Sequence, residues 1–322
     1  MHTILGIESS CDDTAAAIVT SDGHVLGEAL ISQTDIHAPW GGVVPNLAME
    51  AHKLAINQVV SRALEQAGLE PHQLSAVAVT VGPGLSLCLR VGVAKALELC
   101  TRHQLPLLPI HHMEAHALVA RMMPNSAQRP PFPFLCLLVS GGHNLLVLVR
   151  GPGQYVQLGT TVDDALGEAF DKTARLLGLE PRPSGGAALE ALASQGDPTA
   201  FKFAVPMKKR TNCDFSYAGL KTSVRTAIEA HVGLRTKADI AASFQHVATL
   251  HLVERVRRAA LWARTLEPGL THLVVSGGVA CNQHIRRSLT KLSEQEQLQL
   301  VLPPAKWCTD NGVMVAWAGV ER

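Results

Sequence analysis

Two stretches of this chain repeat one design, and that repetition constrains the fold more than any single motif does. "ILGIESSCDDTAAAIVTSDG" reads as an apolar strand, a turn of small and polar residues, a second apolar strand and a closing turn at Asp22-Gly23. "FLCLLVSGGHNLLVLVRGPG" reads the same way and closes at Gly151-Pro152-Gly153. Short apolar runs bounded by Gly, Asp, Asn and Ser are strand and hairpin signals. Each hairpin opens one half of the chain. Each half later carries a strand, a Gly-containing turn and a helix, "SAVAVTVGPGLSLCLRVGVAKALELC" in the first and "THLVVSGGVACNQHIRRSLTKL" in the second. Strands alternating with helical stretches such as 49–67 and 238–264 predict an α/β protein with covered sheets. The reading is a duplicated α/β unit with halves at 1–130 and 131–322, a mostly helical insertion at about 160–265 in the second, and a linker at "NSAQRPPFP" (125–133).

With 322 residues, 47% of them hydrophobic and 17% charged, the chain can bury a large core. No apolar run reaches the ~18–20 residues that span a bilayer. Met1 stands directly before a strand, so no signal or transit peptide is visible. The seven cysteines are odd in number and form no C-x-x-C, which argues for a reducing compartment. Cys11 and Cys308 lie in motif loops with nothing beside them that marks a nucleophile. A formal net charge of +1 gives no global signature of nucleic-acid binding. The local clusters "KKR" (208–210) and "ERVRR" (254–258) read as solvated helix faces.

"LLPIHHMEAHALVA" places His111, His112, Glu114 and His116 within six residues, where an apolar strand ends and a helix begins. The zinc-protease pattern H-E-x-x-H puts the general base directly after the first histidine. Here Met113 occupies that place, and Glu114 projects from a different side. His112 and His116 keep the i, i+4 spacing that sets two rings on one helix face. "CTDNGVM" supplies a third ligand: Asp310 also follows an apolar strand and precedes an apolar helix. Alone, Asp310 reads as an N-cap. Beside the histidines it becomes the carboxylate of a two-His, one-carboxylate site.

Three loops, "ESSCDDT", "VSGGHN" and "VSGGVACN", place small residues after apolar strands, where exposed backbone N–H groups suit phosphate oxygens. Neither G-x-x-x-x-G-K-[ST] nor G-x-G-x-x-G occurs. In "DDALGEAFDKTARLLGL", Asp163 and Asp164 favour the helix dipole and need no function. Asp171 lies beyond the first turn, suited to a ribose or an ammonium group.

Together, "GIESSCDDTAAAIV", "GGVVPNLAMEAH", "GPGL", "HHMEAHAL", "LLVSGGHNLLV", "DDALGEAFDKTARLLGL", "DFSYAGLKT", "SGGVACN" and "CTDNGVMVAWAG" resemble the tRNA threonylcarbamoyl-adenosine transferase family, once labelled O-sialoglycoprotein endopeptidase. The resemblance runs in order from Ile4 to Arg322 and looks closest to the mitochondrial branch of plants and algae. It implies an actin/hexokinase/Hsp70-like fold with two RNase H-like lobes. It implies transfer of a threonylcarbamoyl group from threonylcarbamoyl-adenylate to N6 of adenosine 37 in tRNAs reading ANN codons. Carried over by motif, His112, His116 and Asp310 bind one divalent metal ion per subunit, Fe2+ or Zn2+. Leu138, Val139, Ser140, Gly141 and Gly142 contact the ligand, and Asp171, Gly186 and Asn282 complete the adenylate site. Asp12 is the catalytic or substrate-orienting carboxylate. Because the anticodon loop must reach the site, basic residues such as Lys208–Arg210 would track tRNA phosphates. Coupling to the adenylate-forming synthase, a homodimer, and a mitochondrial place with the transit peptide absent (otherwise cytoplasmic) follow from the same resemblance. Asp13 and Asn46 stand where the family usually has Glu. Competing readings are a metallopeptidase, a small-molecule kinase of the same fold and an Hsp70-like scaffold protein.

Overall fold

The computed structural model describes residues 1–40, 42–122, 129–180, 184–230 and 233–322, so residues 125–128 of the expected linker lie outside the described residues. The chain forms two compact units, Met1–Arg129 with Thr309–Arg322, and Pro130–Cys308.

The first unit runs β1 (Thr3–Glu8), β2 (Asp13–Thr20), β3 (Val25–Ser32), α1 (Thr34–His37), α2 (Pro45–Ala67), β4 (Ala76–Gly82), α3 (Ser86–His103), β5 (Leu107–His111) and α4 (His112–Leu118). The second runs β6 (Phe134–Val139), β7 (Asn144–Gly151), β8 (Gln154–Thr160), α5 (Leu166–Leu176), α6 (Gly185–Ala193), α7 (Ala218–Ala230), α8 (Leu234–Leu266), β9 (His272–Ser276), α9 (Gln283–Gln295) and β10 (Gln299–Val301). Helix α10 (Gly312–Glu321) returns to the first unit.

The sheets are ordered β3-β2-β1-β4-β5 and β8-β7-β6-β9-β10. In each, the opening hairpin and its third strand pair antiparallel, and the two later strands add in parallel. The repeat visible in the sequence is therefore a repeat of topology. Side chains alternate across a strand. Leu5 and Ile7 of β1 join Val77 and Val79 in a core with Ile56, Val59 and Leu99 of α2 and α3. Gly6 points the other way, where a Cβ would come within 2.3 Å of the Ala316 nitrogen and the Gly312 oxygen. Only glycine lets α10 lie that close. The sequence pattern puts 309–322 in the second half, but this helix packs on the first sheet, with Gly312 against Ala16 and Ala17 and Gly319 against Ala78 and Ile4.

In the second unit α8, 33 residues and about 50 Å long, supplies Phe244, Ala248, Leu252 and Val256 to the core beside Leu135, Leu137 and Val139 of β6. His251 sits on the same helix, fully buried, accepting the Ser216 N–H at 3.3 Å and lying edge-on to Tyr217. Burial, reinforced by Arg255 and opposed by Asp163, pulls its pKa down to about 4. A depressed histidine lends stability that is complete above its unfolded pKa near 6.5 and is lost as pH falls toward 4. Wild-type protein should lose about 2 kcal/mol between pH 7 and 4.5 from this group. Urea unfolding of His251→Gln should show a flatter pH profile, and matching profiles would dismiss His251 as the source.

Candidate metal centre and ligand-facing loops

Strand β5 passes into α4 without a loop, which places His112 at the first helical position and His116 one turn on. At the start of α10 the capping is done by Asn311, whose Oδ1 accepts the Met314 N–H at 2.8 Å. Asp310, one residue earlier, is thereby turned toward the histidines. Its Oδ1 lies 3.0 Å from His116 Nε2 and 3.5 Å from His112 Nε2. The three ligand atoms all fall within 4.8 Å of one another. The imidazole rings meet edge to face, with centroids 4.7 Å apart. Two imidazoles and one carboxylate, largely shielded from water, fit a divalent ion of the iron or zinc type.

Behind His112 stands Glu8, which the sequence places inside the loop motif "ESSCDDT". It ends β1, is fully buried, and its Oε2 lies 3.2 Å from His112 Nδ1. The same carboxylate accepts the Thr80 hydroxyl at 2.5 Å and the Ser10 N–H at 2.6 Å. An acceptor on Nδ1 holds the proton there and leaves Nε2 to face an ion. Burial works against a charge on His112, but Glu8 and then Asp310 outweigh it and push the imidazole up to about 9. His116 Nδ1 is buried with no hydrogen-bond partner among the described residues. The signal for Glu8 was present: an acid closing the otherwise apolar strand "ILGIE" must find buried donors. Replacing Glu8 by Gln keeps the shape and removes the charge. We expect metal affinity to fall about 10–100-fold in competition with a chromogenic chelator, with the far-UV spectrum unchanged; unaltered affinity would reduce Glu8 to a packing residue.

Glu114 is also buried, and Arg322 grips it at both oxygens, 2.8 and 3.2 Å, while donating to the Pro109 carbonyl at 3.0 Å. Arg121 binds Glu321 at 2.8 Å. These pairs fasten the far end of α10 to the α4 region, and they occupy the one acid that a peptidase reading would need as its base.

Asp12 lies in the β1–β2 turn, partly exposed. The turn is tied down by its neighbours: Leu85 N–H donates to the Ser10 carbonyl at 2.8 Å, Gln33 N–H to the Asp12 carbonyl at 3.0 Å, and His52 Nε2 lies 3.0 Å from the Cys11 carbonyl. Cys11 and Asp13 both feel the charges of Asp12 and Asp310, so the two carboxylates share one neighbourhood. Burial and then Asp12 push the Cys11 thiol far up, which rules it out as a thiolate nucleophile. Burial raises Asp13 to about 6, with the Ser32 hydroxyl opposing and Asp12 adding.

In the second unit Leu138 and Val139 are buried at the end of β6, so only their backbone can meet a ligand. Ser140 and His143 close a tight turn through 2.9 Å and 3.1 Å hydrogen bonds, leaving Gly141 and Gly142 exposed. A Cβ at either glycine would touch nothing within 4 Å, so neither the backbone angles nor packing requires glycine there. Asp171, exposed, accepts the Gly186 N–H at 3.0 Å at the start of α6. Asn282 caps α9 through Ile285 N–H at 3.0 Å and donates to Gln245 at 3.0 Å. Asp163 caps α7 through Tyr217 N–H at 2.8 Å, and Asp164 binds Lys172 and Lys221, so both acids are structural.

The profile of the TsaD family, tRNA N6-adenosine threonylcarbamoyltransferase, matches residues 24–317. A probable mitochondrial tRNA N6-adenosine threonylcarbamoyltransferase of Arabidopsis thaliana is 56% identical, over 99% of this chain and 68% of its own. The mitochondrial tRNA N6-adenosine threonylcarbamoyltransferase of Homo sapiens is 46% identical, over 99% of this chain and 80% of its own. Among solved structures, full-length HypF in its phosphate- and nucleotide-bound form matches 99% of this chain with 46% of its own, at a TM-score of 0.63 and 14% identity, a likeness of fold alone.

Proposed function

The chain belongs to the tRNA N6-adenosine threonylcarbamoyltransferase family, and from that premise we propose how it performs the family's reaction. Its fold is of the actin/hexokinase/Hsp70 type, and its activity is the formation of N6-threonylcarbamoyladenosine in tRNA. The donor is threonylcarbamoyl-adenylate, the acceptor is N6 of adenosine 37 in tRNAs reading ANN codons, and the products are modified tRNA and AMP.

The donor is a mixed carbamic–phosphoric anhydride, already activated, so no strong protein nucleophile is needed. Catalysis then rests on holding the anhydride and an exocyclic amine at attack distance. The backbone from Leu138 to Gly142 receives the adenylate, and the open flank of Gly141 and Gly142 supports that role. Asp171, Gly186 and Asn282 complete the contacts to the adenylate. Asp12 accepts the amine proton as the new C–N bond forms and the anhydride C–O bond breaks to release AMP. His112, His116 and Asp310 hold one divalent ion, iron or zinc, which when bound supplies Lewis-acid polarisation of a donor oxygen. Glu8 orients His112 for that task. The mitochondrial relatives support a mitochondrial place for the chain, downstream of an adenylate-forming synthase.

The observation that carries this reading is the convergence of His112, His116 and Asp310 on one point with a buried carboxylate behind the first. Incubation with ATP, threonine, bicarbonate, the adenylate-forming synthase and unmodified tRNA, followed by nucleoside mass spectrometry, should show the modified nucleoside only when this chain is present. Its absence with metal-loaded protein would overturn the reading.

A further inference from the structure

A charge buried without a counter-charge is expensive, and Arg255 is such a case. Its position in "ERVRR" suggested a solvated face, but the apolar period of α8 (Ala248, Leu252, Arg255, Ala259) sets it inward, and it is fully buried. Burial, with Arg258 adding, lowers its pKa below the ordinary arginine value. The guanidinium donates to three carbonyls of one short segment: Met207 at 2.6 Å, Arg210 at 3.1 Å and Asn212 at 2.6 Å. That segment is a turn. Arg210 N–H donates back to the Met207 carbonyl at 2.8 Å, and Met207 takes the left-handed backbone at φ 49°. Asn212 donates to Asp214 at 2.6 Å, and Asp214 accepts the Thr160 N–H at 3.0 Å, which ties the turn to β8.

The fork thus fixes a backbone shape that a Lys point charge or an apolar side chain would not. What the turn displays is Lys208, Lys209 and Arg210, all exposed. None of the three pairs with a carboxylate among the described residues, whereas Arg257 and Arg258 on α8 both pair with Glu254. Three adjacent cations repel one another, and a fourth buried beneath them adds to the field. A rigid, uncompensated cationic turn gains most from a polyanion.

We infer that Lys208–Arg210 form a preformed contact for the sugar–phosphate backbone of tRNA, with Arg255 as the positioning residue that holds the turn. The inference rests on the transferase reading above, which supplies the polyanion.

The test uses the full chain with Lys208→Ala, Lys209→Ala and Arg210→Ala combined, and separately Arg255→Lys. Fluorescence anisotropy with unmodified tRNA across roughly 50–200 mM salt gives the slope of log K against log salt. Each lost phosphate contact lowers that slope by about 0.7–0.9, so the triple variant should lose about 2 units of slope. Its KM for tRNA should rise at least tenfold, with kcat at saturating tRNA and AMP affinity unchanged. Arg255→Lys keeps the charge but not the fork and should lose part of the slope; if it fails to fold, the surface triple variant decides alone. Arg210→Lys should retain the slope. An unchanged slope and KM in the triple variant, with wild type forming the modified nucleoside, overturns this inference alone. So does an effect of the triple variant on anionic phospholipid vesicles and not on tRNA. Wild type that binds tRNA yet makes no modified nucleoside, while the triple variant still loses about 2 units of slope, counts against the transferase reading and for this one.

Discussion

Asp12→Asn should slow single-turnover transfer from saturating adenylate by about 10²–10⁴-fold, the usual cost of losing a proton acceptor, while adenylate binding stays at wild-type strength. The substitution suits the question because the main-chain tie of Asp12, its carbonyl accepting from Gln33, is untouched, and an Asn side chain can still accept from the Cys11 thiol that the Asp12 side chain meets. Asn therefore preserves the turn and removes only the charge. If Asp12 were a turn-former, Asn would replace it well. A near-normal rate would leave positioning and the bound ion as the whole catalytic account. The neighbouring Asp13, whose carboxyl burial raises to about 6, is the nearest alternative to test. Residual activity of Asp12→Asn that vanishes when Asp13→Asn is added would identify that relay.

Elemental analysis should find about one divalent ion per chain in wild type and almost none in His112→Ala with His116→Ala, with transfer lost and tRNA binding kept. Full occupancy in the double variant would remove the ligand assignment. The single variants separate the two histidines. Removing His112 strands the fully buried Glu8 carboxylate beside Thr80 and Ser10 alone, and breaking a buried pair in that way costs about 3–5 kcal/mol. His116 has no second partner at Nδ1 among the described residues, so its loss should lower metal content with a smaller drop in thermal midpoint. Equal destabilisation would mean that Glu8 does not depend on His112.

The hairpins were legible because two-residue alternation and the turns at Asp22-Gly23 and Gly151-Pro152-Gly153 are local signals. The return of α10 was not, because an apolar helix does not say which sheet it covers. That choice lies in the shape match of Gly6 to Gly312, which no local pattern encodes. The His112–His116 pair was readable from helical spacing, and the doubt over Asp310 as a cap resolves one residue further, at Asn311. Glu8 escaped because an acid before "SSCDD" looks like the start of a loop. Arg255 escaped because its charge-rich neighbours outweighed the apolar period on which it sits. Asn282 and Asp171 show the converse: residue types suited to ligands, here also engaged in holding helix starts.

The return of α10 also sets an order of events during synthesis. Residues 1–129 leave the ribosome about 180 residues before 309–322 (309 − 129 = 180). At roughly 5–20 residues per second the uncovered face of the first sheet waits on the order of 10–40 s for its closing helix. The nascent first unit therefore exposes Ile4, Gly6 and Ala78 to the cell while the second unit is still being made, a natural period for chaperone engagement. Asp310 arrives with that same closing segment, so the candidate site of His112, His116 and Asp310 has two of its three residues until translation has passed it. On the proposed assignment, an ion would load late, since the nascent chain would offer it only an incomplete set of ligands.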